Sequence, residues 1–307
     1  MRLADHRMSH FTGMLAILLC IHSILTADLP PDGFDHSDPQ VYSPLIQKLK
    51  HDGFSEEFLN QFYSTSDTRF YERLTRVNLL HREQADPYDK MKNPEAIAAI
   101  RNFTISHQDF LQQIESRFEV DRHVIAAILY VESRFGKSSG KHPVLYTLSS
   151  MTLAPEDWSI RSLIERMDSL FPDLSGIERE RKLTWIKDRA ESKATWAYSE
   201  LTTLLELKQS RGLDINSLKG SWAGAFGIPQ FLPSSYAAYG VDGNGDGSVD
   251  LYTMKDALAS VANYLHENGW RSHGISQERK RRAIWSYNHS KYYVDLITYL
   301  AEEASGT

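Results

Sequence analysis

Apolar residues recur every three or four positions through most of the chain beyond residue 53, the spacing that gives an α-helix one buried face. A short helix is expected to begin in Phe54-Ser55-Glu56-Glu57-Phe58-Leu59, and another over residues 74–80, ended by Asp86-Pro87. Residues 94–117 read as helix again, with Ile97, Ile100, Phe110, Leu111 and Ile114 as buried candidates. A stripe of Val124, Ile125, Ile128 and Leu129 then runs on to Glu132, with Asp121 placed as N-cap and Gly136 as the left-handed residue that ends the helix. The longest helical stretch covers 163–211 and is interrupted at Phe171-Pro172-Asp173. In its second part Leu183, Ile186, Ala190, Ala194, Ala197, Leu201 and Leu204 share one side, which suits the wall of a bundle. Pro233 opens a short helix stopping at Gly240, residues 254–268 form another closed by Gly269, and two final helices flank Tyr287-Asn288. Strand-like alternation is scarce and no internal repeat is evident. The fold class is mainly α.

Composition adds limits. The 307 residues are 41% hydrophobic and 24% charged, enough for one large globular domain or two modest ones. A formal charge of −6 leaves no basic stripe, so nucleic acid is not expected as a partner, and Arg279-Lys280-Arg281-Arg282 reads as the solvated face of a helix. Residues 1–27 read as a signal peptide: Arg2 and Arg7 precede an apolar run over 11–25, and Leu25-Thr26-Ala27 offers a small-residue exit. Its removal would take the charge to −7 and remove Cys20, the sole cysteine. An exported, periplasmic protein follows, soluble or held at the membrane by an uncleaved leader. Lipid attachment at Cys20 is disfavoured by Leu19 before it.

Four segments carry candidate chemistry, and each has a plain structural reading beside the functional one. Glu132, in Val131-Glu132-Ser133-Arg134-Phe135-Gly136, is either a helix-end residue that caps or pairs with Arg134, or a desolvated acid of raised pKa suited to breaking a glycosidic bond. Gly220-Ser221-Trp222-Ala223-Gly224-Ala225-Phe226-Gly227-Ile228-Pro229-Gln230-Phe231 is either a tightly packed turn or a sugar platform. In the second case its aromatics face sugar rings and Gln230 hydrogen-bonds an N-acetyl or hydroxyl group. Tyr287-Asn288, followed by Tyr292 and Tyr293, is either a cap or an aromatic-plus-amide pair that orients a substrate carbonyl. The loop from Asp242 matches the first part of a calcium-loop pattern, with Asp242, Asn244, Asp246, Ser248 and Asp250 as expected ligands of a structural Ca2+. Its twelfth position is Thr253 where a bidentate Glu belongs, and the alternative is a set of Asx turns holding no metal.

Taken together and in this order, these segments resemble the lytic murein transglycosylases of the B type, across most of the chain after the leader. The residues that carry the likeness are Val131 to Gly136, the Gly220 segment, Pro229-Gln230-Phe231-Leu232-Pro233-Ser234-Ser235-Tyr236, the Asp242 loop and Tyr287-Asn288. The resemblance implies a lysozyme-like catalytic core with an additional helical region. On that division residues 28–93 form an N-terminal extended and helical region, 94–160 and 216–307 the two parts of the core, and 161–215 a helical insertion. It implies cleavage of the β-1,4 bond between N-acetylmuramic acid and N-acetylglucosamine in peptidoglycan, with Glu132 as single acid/base and no cofactor for catalysis. Ser221, Gln230, Tyr287 and Asn288 would line the groove, with Tyr264 and Tyr293 as further candidates. Peptidoglycan glycan strands are the expected partner, other cell-wall enzymes are candidates, and a monomer is expected. Thr253 departs from the family's loop, which ends in an acid.

One acid suffices if the substrate supplies the rest. Glycosidases ordinarily need two carboxyl groups, about 5–5.5 Å apart to retain configuration or about 6.5–9.5 Å to invert. Glu115 and Glu119 read as exposed helix residues and offer no second one. The rival readings are a lysozyme-type hydrolase, which needs that second carboxylate, a non-catalytic wall-binding scaffold, and, as the least favoured, a calcium sensor.

Overall fold

A computed structural model describes residues 35–36, 39–65, 68–80, 84–170 and 173–306. The leader, Cys20 and the Phe171-Pro172 break lie outside the described residues. Helices dominate, and among the described residues strands are limited to two antiparallel pairs of two residues each, Asp35–His36 with Phe70–Tyr71 and His142–Pro143 with Lys219–Gly220. The mainly α class holds, with 14 α-helices among the described residues. None of them is long and apolar enough to cross a membrane.

Local chemistry accounts for most of the starts. Helix α1 is Ser43–His51, and α2, Glu56–Tyr63, begins where the Ser55 side chain accepts from the Phe58 N–H. The 74–80 expectation is met by α3, Glu72–Leu80. Asp86-Pro87 opens another helix rather than only ending one: α4 is Asp86–Met91, with Pro in its first turn where a missing N–H costs nothing. The single helix expected over 94–117 is two, α5 (Pro94–Ser106) and α6 (Gln108–Phe118), which share His107 as cap. The His107 ring stacks on Phe103 at 4.1 Å, and its Nδ1 lies 3.0 Å from the Phe103 carbonyl oxygen, which holds the corner.

The helix that carries Glu132 is α7, Arg122–Ser133, buried from Val124 to its end. Asp121 is its N-cap residue, but its side chain accepts from Lys280 instead of from the helix. Glu115 from α6 accepts from the Arg122 N–H and guanidinium and supplies the carboxylate that the helix start favours. The stop comes earlier than Gly136. Arg134, Phe135 and Gly136 are all left-handed, at φ 49°, 59° and 87°.

Beyond it, α8 (Val144–Thr152) and α9 (Asp157–Leu170) lead to α10, Gly176–Arg211, one helix of 36 residues ended by left-handed Gly212. Its apolar stripe packs on α8, as a bundle wall should, and a satellite cluster of Leu79, Ala154, Leu163, Met167, Ile186 and Ala190 seals its first half. The last elements are α11 (Pro233–Tyr239), α12 (Met254–Glu267), α13 (Gln277–Tyr287) and α14 (Lys291–Ser305). The core runs through α5, α7, α12 and α14, with α7 at its centre. The basic run on α13 is an ion-paired face rather than a merely solvated one: Lys280 meets Asp121, Arg281 meets Asp295 and Arg282 meets Glu278.

Candidate active site

Glu132 sits in the last turn of α7, 5% exposed, where its neighbours leave it almost no water. The Tyr293 hydroxyl donates to its Oε1 at 3.0 Å from the first turn of α14. Burial raises the Glu132 pKa to about 8, against a smaller lowering by that hydrogen bond. The Tyr293 ring stacks with Tyr287 at 6.3 Å, and both phenols are pushed well above their ordinary pKa by burial and then by the Glu132 charge. They therefore stay protonated as donors throughout the working range of a carboxyl group. Of the two local readings of Glu132, the desolvated acid is the one this geometry fits.

The end of α7 is tied to the Gly/aromatic segment. Ser133 Oγ donates to the Ile228 carbonyl at 2.7 Å and accepts from the Gly136 N–H at 2.9 Å. The Phe135 ring lies flat on Phe103 with centroids 4.0 Å apart, and the Arg134 guanidinium donates to the Tyr130 hydroxyl and lies over its ring. Non-glycine residues persist in left-handed backbone only when surroundings over-determine them, and these contacts do so.

Residues 219–231 form a web of backbone bonds. Phe226 and Phe231 exchange both their N–H and C=O groups, Ser221 N–H reaches the Ala225 carbonyl at 2.7 Å, and Ile228 N–H reaches Leu251 at 2.8 Å. Gly220 is required: a Cβ there would stand 2.1 Å from the Ala225 carbonyl oxygen. Asn78 of α3 adds a bond from its amide to the Trp222 carbonyl at 2.7 Å.

The expected groove residues occupy this region unequally. Gln230 holds φ +53°, donates from Nε2 to the Ser139 and Gly227 carbonyls, and keeps Oε1 buried without a hydrogen-bond partner among the described residues. Asn288 Oδ1 is buried in the same condition. Two such acceptors are unusual, because buried polar groups are nearly always paired. Tyr287 donates to the Pro229 carbonyl, Tyr264 donates to Ser286, and the two rings lie 4.8 Å apart with Phe231 against both. Ser221 turns its oxygen inward and accepts from the Ala223 and Ala225 N–H groups, so its first task is to hold the turn. Tyr292 is 43% exposed and stacks on Tyr88 of α4.

The Asp242 loop is organised by its own hydrogen bonds. Asp242 accepts from the Gly245 and Gly247 N–H groups, and Asp246 accepts from Ser248 and from the Asn244 amide, while Asp250 accepts from Tyr252 N–H. Among the described residues no group of three or more His, Cys, Asp or Glu side chains converges for a metal ion. Three of the five expected ligands lie together, with Asn244 and Ser248 both donating to Asp246, and Thr253 contributes a hydroxyl that donates to the Asp250 carbonyl instead of a bidentate carboxylate. Each of these carboxylates keeps lone pairs beyond the N–H bonds it accepts, and what the loop lacks against the calcium pattern is the carboxylate at Thr253. The residue that organises the loop is one the sequence did not single out. Asp256, wholly buried, accepts from Gly243, Asn244 and Asp250 N–H groups.

A second residue went unnoticed, although its signal was the one that exposed Glu132: a carboxylate on an apolar stripe. Glu200 lies between Ala197 and Leu204 on the buried side of α10. Asp256 gave no such signal, since acids are ordinary in a helix's first turn.

Residues 37–281 match the protein-family model described as the Transglycosylase SLT domain. The chain belongs to this transglycosylase family. Within the SLT-domain family it is 30% identical over 168 residues to membrane-bound lytic murein transglycosylase B of Escherichia coli (strain K12). That alignment covers 55% of this chain and 37% of the relative, so the chain spans well under two thirds of that protein's length. Two solved structures share the SLT-domain fold. SltB3 from Pseudomonas aeruginosa, in complex with NAG-anhNAM-pentapeptide, is 18% identical at a TM-score of 0.66, covering 87% of this chain and 79% of that one. Escherichia coli lytic transglycosylase Slt35, in complex with calcium, is 22% identical at 0.62, covering 86% and 92%.

Proposed function

We propose that the chain is a peptidoglycan lytic transglycosylase that cleaves the β-1,4 bond between N-acetylmuramic acid and N-acetylglucosamine without water. The observation that carries the reading is Glu132, a buried carboxyl that keeps its proton to about pH 8 beside the Tyr293 hydroxyl. Such a group can protonate the leaving glycosidic oxygen at neutral pH. The substrate's 2-acetamido carbonyl then stabilises the developing cation at C1. Glu132, now a carboxylate, withdraws the proton of the C6 hydroxyl on the same muramic residue, O6 bonds to C1, and a 1,6-anhydro ring results. Gln230 Oε1 and Asn288 Oδ1 are two unpaired acceptors suited to the N–H and hydroxyl donors of the sugar, while Tyr264 and Tyr287 supply flat apolar faces.

The absence of a second acid from the groups acting on Glu132 favours this route over hydrolysis. Its pKa is set by burial and by Tyr293. The other buried carboxylates among the described residues, Glu200 and Asp256, are engaged by backbone N–H donors elsewhere. The SltB3 complex with an anhydro-muramyl ligand supports a glycan strand as the partner. The leader supports export to the periplasm.

Mass spectrometry of soluble products from purified peptidoglycan, with the parent and Glu132→Gln, tests the reading. Fragments ending in anhydro-muramic acid, one water lighter than reducing ends and absent with the variant, are expected. Reducing-end products would identify a hydrolase, and no products from the parent would leave a wall-binding protein.

A further inference from the structure

The carboxylate of Glu200 crosses from the long helix α10 to the start of α11 and engages one residue there with both oxygens. Its Oε2 accepts from the Ser234 N–H at 2.9 Å and its Oε1 accepts from the Ser234 hydroxyl at 2.8 Å. Glu200 is 6% exposed, and burial pushes its pKa up while the two Ser234 donors pull it down. A buried charge is costly unless its lone pairs are taken by donors, and here those donors sit at the start of a helix whose own N-cap residue, Leu232, has no capping side chain. The same bonds tie the chain that leads from Gln230 to a second helix.

Ser234 stands four residues after Gln230, and the backbone between them has little freedom. Phe231 is bonded in both directions to Phe226, Leu232 accepts from the Tyr236 N–H, and Pro233 has its φ locked by its ring. Gln230 itself is a non-glycine residue at φ +53°, a conformation that must be imposed from both sides. On the N-terminal side its Nε2 is bonded to Gly227 and Ser139. On the C-terminal side Phe231 packs against Tyr264 and Tyr287, and the next fixed point along the chain is the Glu200 clamp on Ser234.

We propose that Glu200 is a positioning residue for Gln230, so that the helix 161–215 region sets the geometry of the sugar-binding loop rather than only walling the bundle. The proposal rests on reading Gln230 as a groove residue of the transglycosylase. Misplacing a positioning group by about 1 Å can cost up to about a hundredfold in rate, so a loosened clamp should register in turnover.

Glu200→Gln replaces one acceptor oxygen by an amide NH2 that faces a Ser234 donor. It is expected to lower kcat on soluble peptidoglycan fragments about tenfold with a smaller change in KM, and to move the Gln230 side-chain amide resonances, assigned by their loss in Gln230→Ala. Adding Ser234→Ala removes the opposed hydroxyl and leaves one N–H for the amide oxygen, so the double variant should regain most of the loss. Ser234→Ala alone, which keeps the N–H bond, should cost about threefold and serves if Glu200→Gln does not fold. Unmoved Gln230 resonances, kcat and KM within twofold of the parent, or no recovery in the double variant would each overturn the proposal. A parent without turnover on peptidoglycan would sink the transglycosylase reading by itself, and the Gln230 resonances would still decide whether Glu200 positions that loop.

Discussion

Tyr293 donates its hydroxyl to Glu132 across 161 positions of sequence, at 3.0 Å, and among the described residues this is the side-chain hydrogen bond that acts on the Glu132 pKa. The bond favours the carboxylate, and burial favours the acid more strongly. The acid wins, which leaves Glu132 protonated at neutral pH.

Activity should therefore fall on the alkaline side. With a pKa of about 8 the free enzyme loses its general acid above that pH, and kcat/KM should drop about tenfold per unit beyond it. A pH profile of anhydro-product formation that stays flat to pH 10 would be inconsistent with Glu132 as the acid.

Tyr293→Phe removes the one hydrogen bond that lowers the Glu132 pKa. The falling limb should move to higher pH by about one unit, and neutral-pH turnover should decrease because the ring no longer steadies the carboxyl. An alkaline limb that moves down, or stays put, would show that Tyr293 does not act on Glu132.

Glu132 should also make the fold less stable as pH rises. Folded Glu132 holds its proton to about 8, whereas an unfolded glutamate releases it near 4.5. Between those values the unfolded chain binds fewer protons, so stability declines with pH and levels off above 8. Glu132→Gln abolishes that slope. Denaturant melts at pH 9 should find the variant more stable than the parent by about 3–5 kcal/mol, and the gap should nearly close at pH 4.

Calcium should add little stability to the protein. A ligand that binds the folded state at a hundredfold excess over Kd adds about 2.7 kcal/mol, which melting would register as several degrees. Because Thr253 offers no bidentate carboxylate, we expect Tm to move by less than about 1 °C between EDTA and millimolar calcium. A larger rise would mean the loop rearranges around an ion.

Asp256→Asn tests what holds that loop instead. It keeps the shape but turns a three-fold acceptor into a group with an NH2 facing N–H donors. A loss of about 2–3 kcal/mol is expected by denaturant unfolding, since a buried polar network is left unsatisfied. A change below about 0.5 kcal/mol would show that the loop closes without it.

Periodicity and motif order, both local properties, were enough to place most of the helices, though not those at 43–51, 86–91 and 144–152, and to give the mainly α class and Glu132 on a buried face. A helix repeats its apolar side every 3.6 residues whatever it packs against, and an acid on that side is visible before any partner is known. Caps and corners were less legible. Asp121 has the chemistry of an N-cap yet serves Lys280, and the corner at His107 depends on a ring contact with Phe103. Only the tertiary structure decided what Glu132 touches, because Tyr293 reaches it from the far end of the chain. The same holds for the loop from Asp242, whose short spacing fits calcium on paper. Its carboxylates instead accept from N–H groups whose directions depend on the turn, and Asp256 enters from the next helix. Hydrogen bonds are directional and link residues far apart in sequence, whereas patterning records only which side of an element is apolar.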